Sequence, residues 1–357
     1  MSLFQHLVVI ATALVVTLVL TPLARTIGLR WGIVAHSGGR SVHTGAVPRI
    51  GGFAMFAGFA AAVLVRYLGE RLWGWPPALT LAGEPVVGVL AGLGVMFIVG
   101  LIDDVVDLTP GQKLVGQIVA ASVAYAAGVR IDFIGNPVSG GLQMLGILSL
   151  PVTLFWMVGF ANVVNLIDGL DGLAAGITAI AAVSLLVLAQ ETNQPLAAVL
   201  AAGLVGACVG FLRYNYSPAS IFMGDSGALF LGFCLACISL LGVMKSVAAI
   251  TLVVPLLILG VPVFDTFSAI IRRRRGGRPV HEADKGHIHH RLLGRGFSVR
   301  QTVLIIYVWS IALAVGGYAM RWVAPALKIV TFLVLAGLSG VMAYWLGLFE
   351  VAHRDDE

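Results

Sequence analysis

Charged side chains are scarce in this chain: Asp, Glu, Lys and Arg make up 11% of 357 residues, against 59% hydrophobic residues and a mean hydropathy of +0.98. A soluble globule carries about 25% charged residues and an apolar share of about 45–50%, so a water-soluble enzyme and a nucleic-acid-binding module are both excluded. Cysteine is scarce as well. Three residues, Cys208, Cys234 and Cys237, all lie within apolar runs, which excludes a disulfide framework. Cys234 and Cys237 have C-x-x-C spacing, but no histidine stands near them, so they read as packing rather than metal or redox chemistry. There is no soluble insert, internal repeat or low-complexity tract. The first apolar run, Leu3 to Leu20, lacks a positive leading segment and a small-residue cleavage site, so it reads as a retained helix rather than a signal peptide.

What is present is a series of apolar runs bounded by Gly, Pro and charge, each near the ~20 residues that cross a bilayer. They predict an all-α, polytopic integral membrane helix bundle with about eleven transmembrane helices, forming a single domain over residues 1–357. The expected spans are 3–29, 50–68, 85–102, 111–128, 149–166, 172–189, 195–213, 225–244, 247–271, 301–320 and 326–348. Asn136-Pro137 and Gly140-Gly141 make 131–150 a loop or short hairpin. Counting Lys and Arg in alternate loops places sixteen on one side and six on the other. The positive-inside rule then puts the N-terminus outside and the C-terminus in the cytoplasm, in the inner (cytoplasmic) membrane. Arg272 to Arg275 form the densest basic run, which anchors the ninth span and attracts anionic membrane lipids.

Against this background seven aspartates, Asp103, Asp104, Asp107, Asp168, Asp171, Asp225 and Asp265, sit at or inside the ends of apolar runs. A carboxylate near hydrocarbon is costly without a partner or a task, so the clustering reads as a site for a cation and an anionic substrate. Asp103, Asp104 and Asp107 crowd one helix end, and crowded carboxylates are relieved by a divalent cation or a raised pKa. Asn162, Asn165, Asp168 and Asp171 recur every third residue, with Gly169 and Gly172 suggesting a helix break where the chain approaches a ligand. These amides and carboxylates suit the hydroxyls and base edge of a nucleoside, or a metal.

Phe222-Met-Gly-Asp225-Ser opens the eighth span: its backbone N–H groups can face a phosphate while Asp225 takes the metal, and Phe222 can stack on a base. Asp265 lies in a helix interrupted by Pro255 and Pro262, within the membrane. Lys285-Gly-His287-Ile-His289-His290-Arg291 holds three histidines between cations. No Cys or Glu completes a tetrahedral zinc set, so it reads as a clamp for a diphosphate and a sugar. By loop parity all these motifs share the cytoplasmic side.

Taken together, the blocks from about Arg40 to Arg295 resemble the polyprenyl-phosphate N-acetylhexosamine-1-phosphate transferases. The resemblance rests on Asp-Asp-x-x-Asp at 103–107, Asn-x-x-Asn-x-x-Asp-Gly-x-Asp-Gly at 162–172, Met-Gly-Asp-Ser at 223–226, Asp265 and His-Ile-His-His-Arg at 287–291. It is nearer to the N-acetylglucosamine branch than to the muramoyl-pentapeptide branch, where a lysine usually stands at the place of Asp107. It implies transfer of a sugar 1-phosphate, N-acetylglucosamine 1-phosphate foremost, from a UDP-sugar donor to a polyprenyl phosphate acceptor. Mg²⁺ is the implied cofactor, with Mn²⁺ as a substitute, and a homodimer is an admissible assembly.

The resemblance makes Asp225 and Asn165 metal ligands and gives Asp171 and Phe222 the uridine. Asp103 or Asp104 readies the lipid phosphate, with Asp107, Asp168 and Asp265 in the same catalytic set. Asn162, Arg49, His287, His289, His290 and Arg291 fall to substrate binding. One departure stands out: the family's first cytoplasmic loop usually carries an acid and an Arg-Lys-x-His run, whereas here Ala35 and Ser41 stand in for the acid and the lysine, leaving Arg40 and His43. A secondary transporter, the rival reading, would spread polar groups toward the midplane and show repeat symmetry.

Overall fold

The computed structural model describes residues 2–35, 46–135, 141–243, 253–275 and 286–348. Arg40, Ser41, His43 and Lys285 lie outside the described residues. The chain divides into two compact units, Met1–Leu252 and Val253–Glu357.

In the first unit α1 is Leu3–Trp31, β1 is Val34–Ala35, β2 is Val47–Pro48, α2 is Gly51–Leu72, α3 is Leu79–Ala82, α4 is Glu84–Val106 and α5 is Pro110–Ala126. There follow β3 at Phe133–Gly135, β4 at Leu142–Met144, α6 at Ser149–Ile167, α7 at Leu173–Glu191, α8 at Pro195–Asn215 and α9 at Gly224–Val243. In hydrocarbon every backbone polar group must be satisfied within its own segment, which leaves long apolar runs no alternative to the helix. Local signals then set the ends. Ser2 starts α1 and Thr109 starts α5, each in a reciprocal cap with a glutamine three residues on, and proline stands in the first turn of α4, α5 and α8. At the opposite end of α2 the Glu70 carboxylate accepts the N–H groups of Ala78, Leu79 and Thr80 and so caps α3.

Helices α8 and α9 form the core of this unit and are buried along most of their length. Small residues let α8 press onto α1: a Cβ built on Gly210 would lie 2.7 Å from the Leu14 carbonyl oxygen, and Gly206, one turn earlier, meets the Ile10 carbonyl in the same way. This G-x-x-x-G spacing is how membrane helices gain close packing without a hydrophobic force between them. Under the polar end of the unit an aromatic cluster joins α2, α4 and α9. Phe56 stacks on Phe97 at 4.3 Å, and Phe230 meets Phe56 and Phe59 edge-on at 5.4 and 5.3 Å.

The second unit contains α10 at Val253–Ile258, α11 at Gly260–Arg275, α12 at Ile288–Gly294, α13 at Val299–Ala319 and α14 at Pro325–Trp345.

All eleven expected spans contain helix, with two departures. Nine helices among the described residues are long and apolar enough to cross a membrane. Helix α5 is only 17 residues long. The expected ninth span, 247–271, is α10 and α11 with a break at Leu259, and its first residues lie outside the described ones. Pro262 has no N–H to return to residue 258, which is the physical reason for a break there. Within 131–150, β3 and β4 pair antiparallel, with Phe133 opposite Met144 and Gly135 opposite Leu142, while Asn136, Pro137 and Gly140 of the expected loop lie outside the described residues. The pair β1–β2 is an addition: two residues per strand are too few to leave a periodic signal.

Candidate active site

The site in the first unit is assembled where seven helix ends meet. Main-chain bonds tie the segment entering α2 to the segment entering α9: Phe222 N to Pro48 O at 2.8 Å, Gly51 N to Phe222 O at 2.9 Å and Gly52 N to Met223 O at 2.8 Å. Helix α9 begins at Gly224, whose φ of 69° is left-handed. That turn points the first N–H groups of α9 at Asp104 on the last turn of α4. The Asp104 carboxylate accepts from Asp225 N at 2.7 Å, Ser226 N at 3.0 Å and Ser226 Oγ at 2.6 Å. It is therefore the acid cap of α9, a place where negative charge is favoured by the unpaired N–H groups and the helix dipole. The sequence-based expectation that these N–H groups face a substrate phosphate is thereby corrected, because Asp104 already fills that position.

Its neighbour Asp103 is directed differently. One oxygen accepts from Leu108 N at 2.8 Å, closing the turn between α4 and α5, and the other lies 2.7 Å from Lys113 Nζ. Lys113, one turn into α5, also pairs with Asp225, and the other oxygen of Asp225 accepts from Asn165 Nδ2 at 2.6 Å. One ammonium thus stands between two carboxylates, leaving the trio with a net negative charge. Asp107, with φ 51° at the end of α4, is mostly exposed and binds Arg49 Nη2 at 2.6 Å, while Arg49 Nε donates to the Asp104 carbonyl at 3.1 Å. Asp168 follows the end of α6. Burial, together with the fields of Asp225, Asp104 and Asp171, pushes its pKa up to about 8.

Three other expected residues are held beside this cluster by the protein itself. Asn162 exchanges amide bonds with Gln117 of α5, at 2.7 and 3.3 Å. Asp171 accepts from Ala219 N at 2.9 Å, while Asn215 accepts from Gly172 N and donates to Ile221 O, both at 3.0 Å, which locks the turn before α7 to the loop before α9. Phe222, in that loop, is half-buried. Asp225, Asp103 and Asn165 are the groups that could hold a metal. No three His, Cys, Asp or Glu side chains among the described residues form a complete cage. The oxygen donors of Asp225, Asp103 and Asn165 are of the hard type that Mg²⁺ takes, one or two carboxylates together with water and substrate phosphate oxygens.

The second unit carries its own cluster. Asp265 on α11 accepts from His287 Nδ1 at 2.8 Å and from Ile288 N at 2.8 Å, at the start of α12. The His287 and His289 rings lie parallel at 5.8 Å, and His290 lies 4.2 Å from His289. Burial, followed by the charge of His290, lowers the His289 pKa to about 3. His289 is thus neutral at pH 7.

These arrangements can be set beside known proteins. The profile of glycosyl transferase family 4 matches residues 86–243, which contain the acid cluster. A Bacillus subtilis (strain 168) protein named "Probable undecaprenyl-phosphate N-acetylglucosaminyl 1-phosphate transferase" is 35% identical over 338 residues, covering 94% of this chain and 90% of that protein. The chain belongs to the polyprenyl-phosphate N-acetylhexosamine-1-phosphate transferases. A decaprenyl-phosphate N-acetylglucosaminephosphotransferase of Mycolicibacterium smegmatis is 39% identical over 342 residues, 88% of this chain and 82% of that one. A phospho-N-acetylmuramoyl-pentapeptide-transferase of Desulforudis audaxviator is 36% identical over 344 residues, 88% of this chain and 97% of its own.

In this transferase the sequence reading missed Lys113, Gln117, Asn215 and Ser226. Lys113 was one of the sixteen Lys and Arg counted on the cytoplasmic side and had no role at the site. Its signal was its place after Thr109-Pro110, an evident helix start, which sets it one turn inside an apolar helix beside three acids. Gly224 is a further sensitive point. A Cβ there would collide with the Arg49 carbonyl and the Asp104 carboxylate, and the left-handed φ alone costs a non-glycine residue about 1–3 kcal/mol. Gly224→Ala is expected to lower the thermal midpoint and reduce transfer together; wild-type values for both would show that Asp104 does not need this turn to cap α9.

Proposed function

We propose that this transferase moves N-acetylglucosamine 1-phosphate from UDP-N-acetylglucosamine to a polyprenyl phosphate, giving a polyprenyl diphosphate sugar and UMP at the cytoplasmic face of the cytoplasmic membrane. The observation that carries this reading is the convergence of Asp103, Lys113, Asn165 and Asp225 at one end of the first unit. The names of the relatives and the positive-inside bias of the loops support the substrate and the sidedness.

In the reaction an oxygen of the lipid phosphate attacks the sugar-bearing phosphorus. The new P–O bond joins lipid and sugar phosphate, and the bond to the oxygen bridging toward the uridine phosphate breaks, so UMP leaves with that electron pair. A phosphomonoester's second pKa is about 6, so the attacking oxygen is already ionised at neutral pH and no side chain must remove a proton. The task of Asp103 is then orientation, through the ammonium of Lys113, whose donors can turn from carboxylate to phosphate. Asp104 keeps α9 in register so that Asp225 and Asn165 face the same space. Mg²⁺ held by Asp225 and Asn165 would supply the charge neutralisation that phosphoryl transfer demands on the leaving side. Asp171 and Phe222 border the loop suited to the uridine.

The test is UMP release by the purified protein across UDP-N-acetylglucosamine, UDP-N-acetylgalactosamine and UDP-glucose, with and without polyprenyl phosphate. Release with the first donor only when lipid phosphate is present is the expected result. Release without the lipid acceptor would make the protein a hydrolase and overturn the reading.

A further inference from the structure

We propose that Asp265 is a positioning residue that acts through His287, fixing which of its ring nitrogens is left for the donor. Asp265 lies on α11 with 2% of its surface exposed, and both of its oxygens are used by two consecutive residues at the start of α12. One accepts from His287 Nδ1 and the other from the main-chain N–H of Ile288, each at 2.8 Å. A carboxylate can only accept, so His287 must carry a proton on Nδ1 whether its ring is neutral or charged, and Nε2 is the remaining functional nitrogen.

The ring's angle is set as well as its tautomer. Bonding to the next residue's N–H holds Asp265 against the backbone of the helix start, and His289 lies parallel to His287, with planes 4° apart. A metal or a phosphate at Asp265 would have to displace both of these bonds. Its carboxylate therefore serves the protein rather than a ligand, and a carboxylate that would be costly in an apolar helix is stabilised by its partners. That His287 Nε2 meets the nucleotide-sugar rests on the function proposed above; the pairing of Asp265 with His287 does not.

The experiment compares Asp265→Asn, Asp265→Glu, His287→Ala and the Asp265→Asn/His287→Ala double variant in the full chain. Asparagine keeps the bond from Ile288 N but offers His287 a donor in place of an acceptor, which reverses the tautomer. We expect Asp265→Asn to lower kcat/KM for the UDP-sugar by about 10–100-fold, the scale on which carboxylates act through histidines at metal sites, with the KM for polyprenyl phosphate unchanged. In the His287→Ala background the same substitution should change kcat/KM by less than about twofold, because the two residues act as one unit. Asp265→Glu should recover part of the loss. Independent losses that multiply in the double variant would overturn the proposal.

Nitrogen-15 NMR of the labelled imidazoles gives a reading independent of activity. The expected result is a protonated Nδ1 at His287 in the wild type and a protonated Nε2 in Asp265→Asn. Wild-type His287 protonated at Nε2 alone would overturn the pairing. The expected tautomer in a protein that releases no UMP from any UDP-sugar would overturn the proposed reaction and leave the pairing standing.

Discussion

Asparagine in place of Asp225 is expected to lower turnover by on the order of 100- to 1,000-fold, the cost of removing one preorganised charged contact from a reacting centre. The protein should still insert and fold. The asparagine side chain has the same shape, and the main-chain N–H of residue 225 that bonds to Asp104 is untouched. What disappears is the charge shared by Lys113 and Asn165, so Lys113 is left to Asp103 alone. Initial rates with both substrates saturating, repeated at increasing Mg²⁺, make the comparison. Activity within about tenfold of wild type at ordinary Mg²⁺ would remove Asp225 from the reacting set.

The adjacent pair Asp103 and Asp104 should separate into two different phenotypes, although sequence alone treats them as interchangeable. Asp104→Asn places an NH₂ group against the N–H groups that begin α9. One of those donors then loses its acceptor, at a cost on the order of 1–3 kcal/mol for a buried donor left unpaired. A lowered thermal midpoint and poor recovery of folded protein are the expected readouts. Asp103→Asn keeps the bond from Leu108 N and should fold normally. It weakens the hold on Lys113, so kcat should fall with little change in the KM for the UDP-sugar. A stable Asp104→Asn protein with a pure kcat defect would show that the cap is dispensable and return Asp104 to the chemistry.

The contrast shows what could be read from the sequence and what could not. The spans were legible because the bilayer leaves helices as the only economical answer to an apolar run of that length. The acids stood out because burying charge is expensive, so Asp103, Asp168 and Asp225 announced themselves by type and place. Their partners did not. Asp104 accepts from the main chain of a residue 121 positions later, and no local pattern states that a carboxylate at the end of α4 serves the first turn of α9. Lys113 fell within the expected span 111–128, but nothing local in the sequence states that its ammonium reaches both Asp103 and Asp225. Asp265 showed its cost in sequence, but its pairing with His287, 22 residues away, needed the turn into α12. The break at Leu259 was signalled by Pro255 and Pro262, yet a proline alone does not tell a kink from a full interruption.

The central claim is that a phosphoryl group, and not the sugar alone, passes to the lipid across the cluster of Asp103, Lys113, Asn165 and Asp225. It is tested most directly by UDP-N-acetylglucosamine labelled at the sugar-linked phosphorus, followed into the organic-soluble lipid product. The account predicts that the label and the sugar enter the lipid together in equal amounts, with unlabelled UMP in the aqueous phase, and that Asp225→Asn stops both. Label retained in the aqueous phase as UDP while sugar appears on the lipid would contradict it.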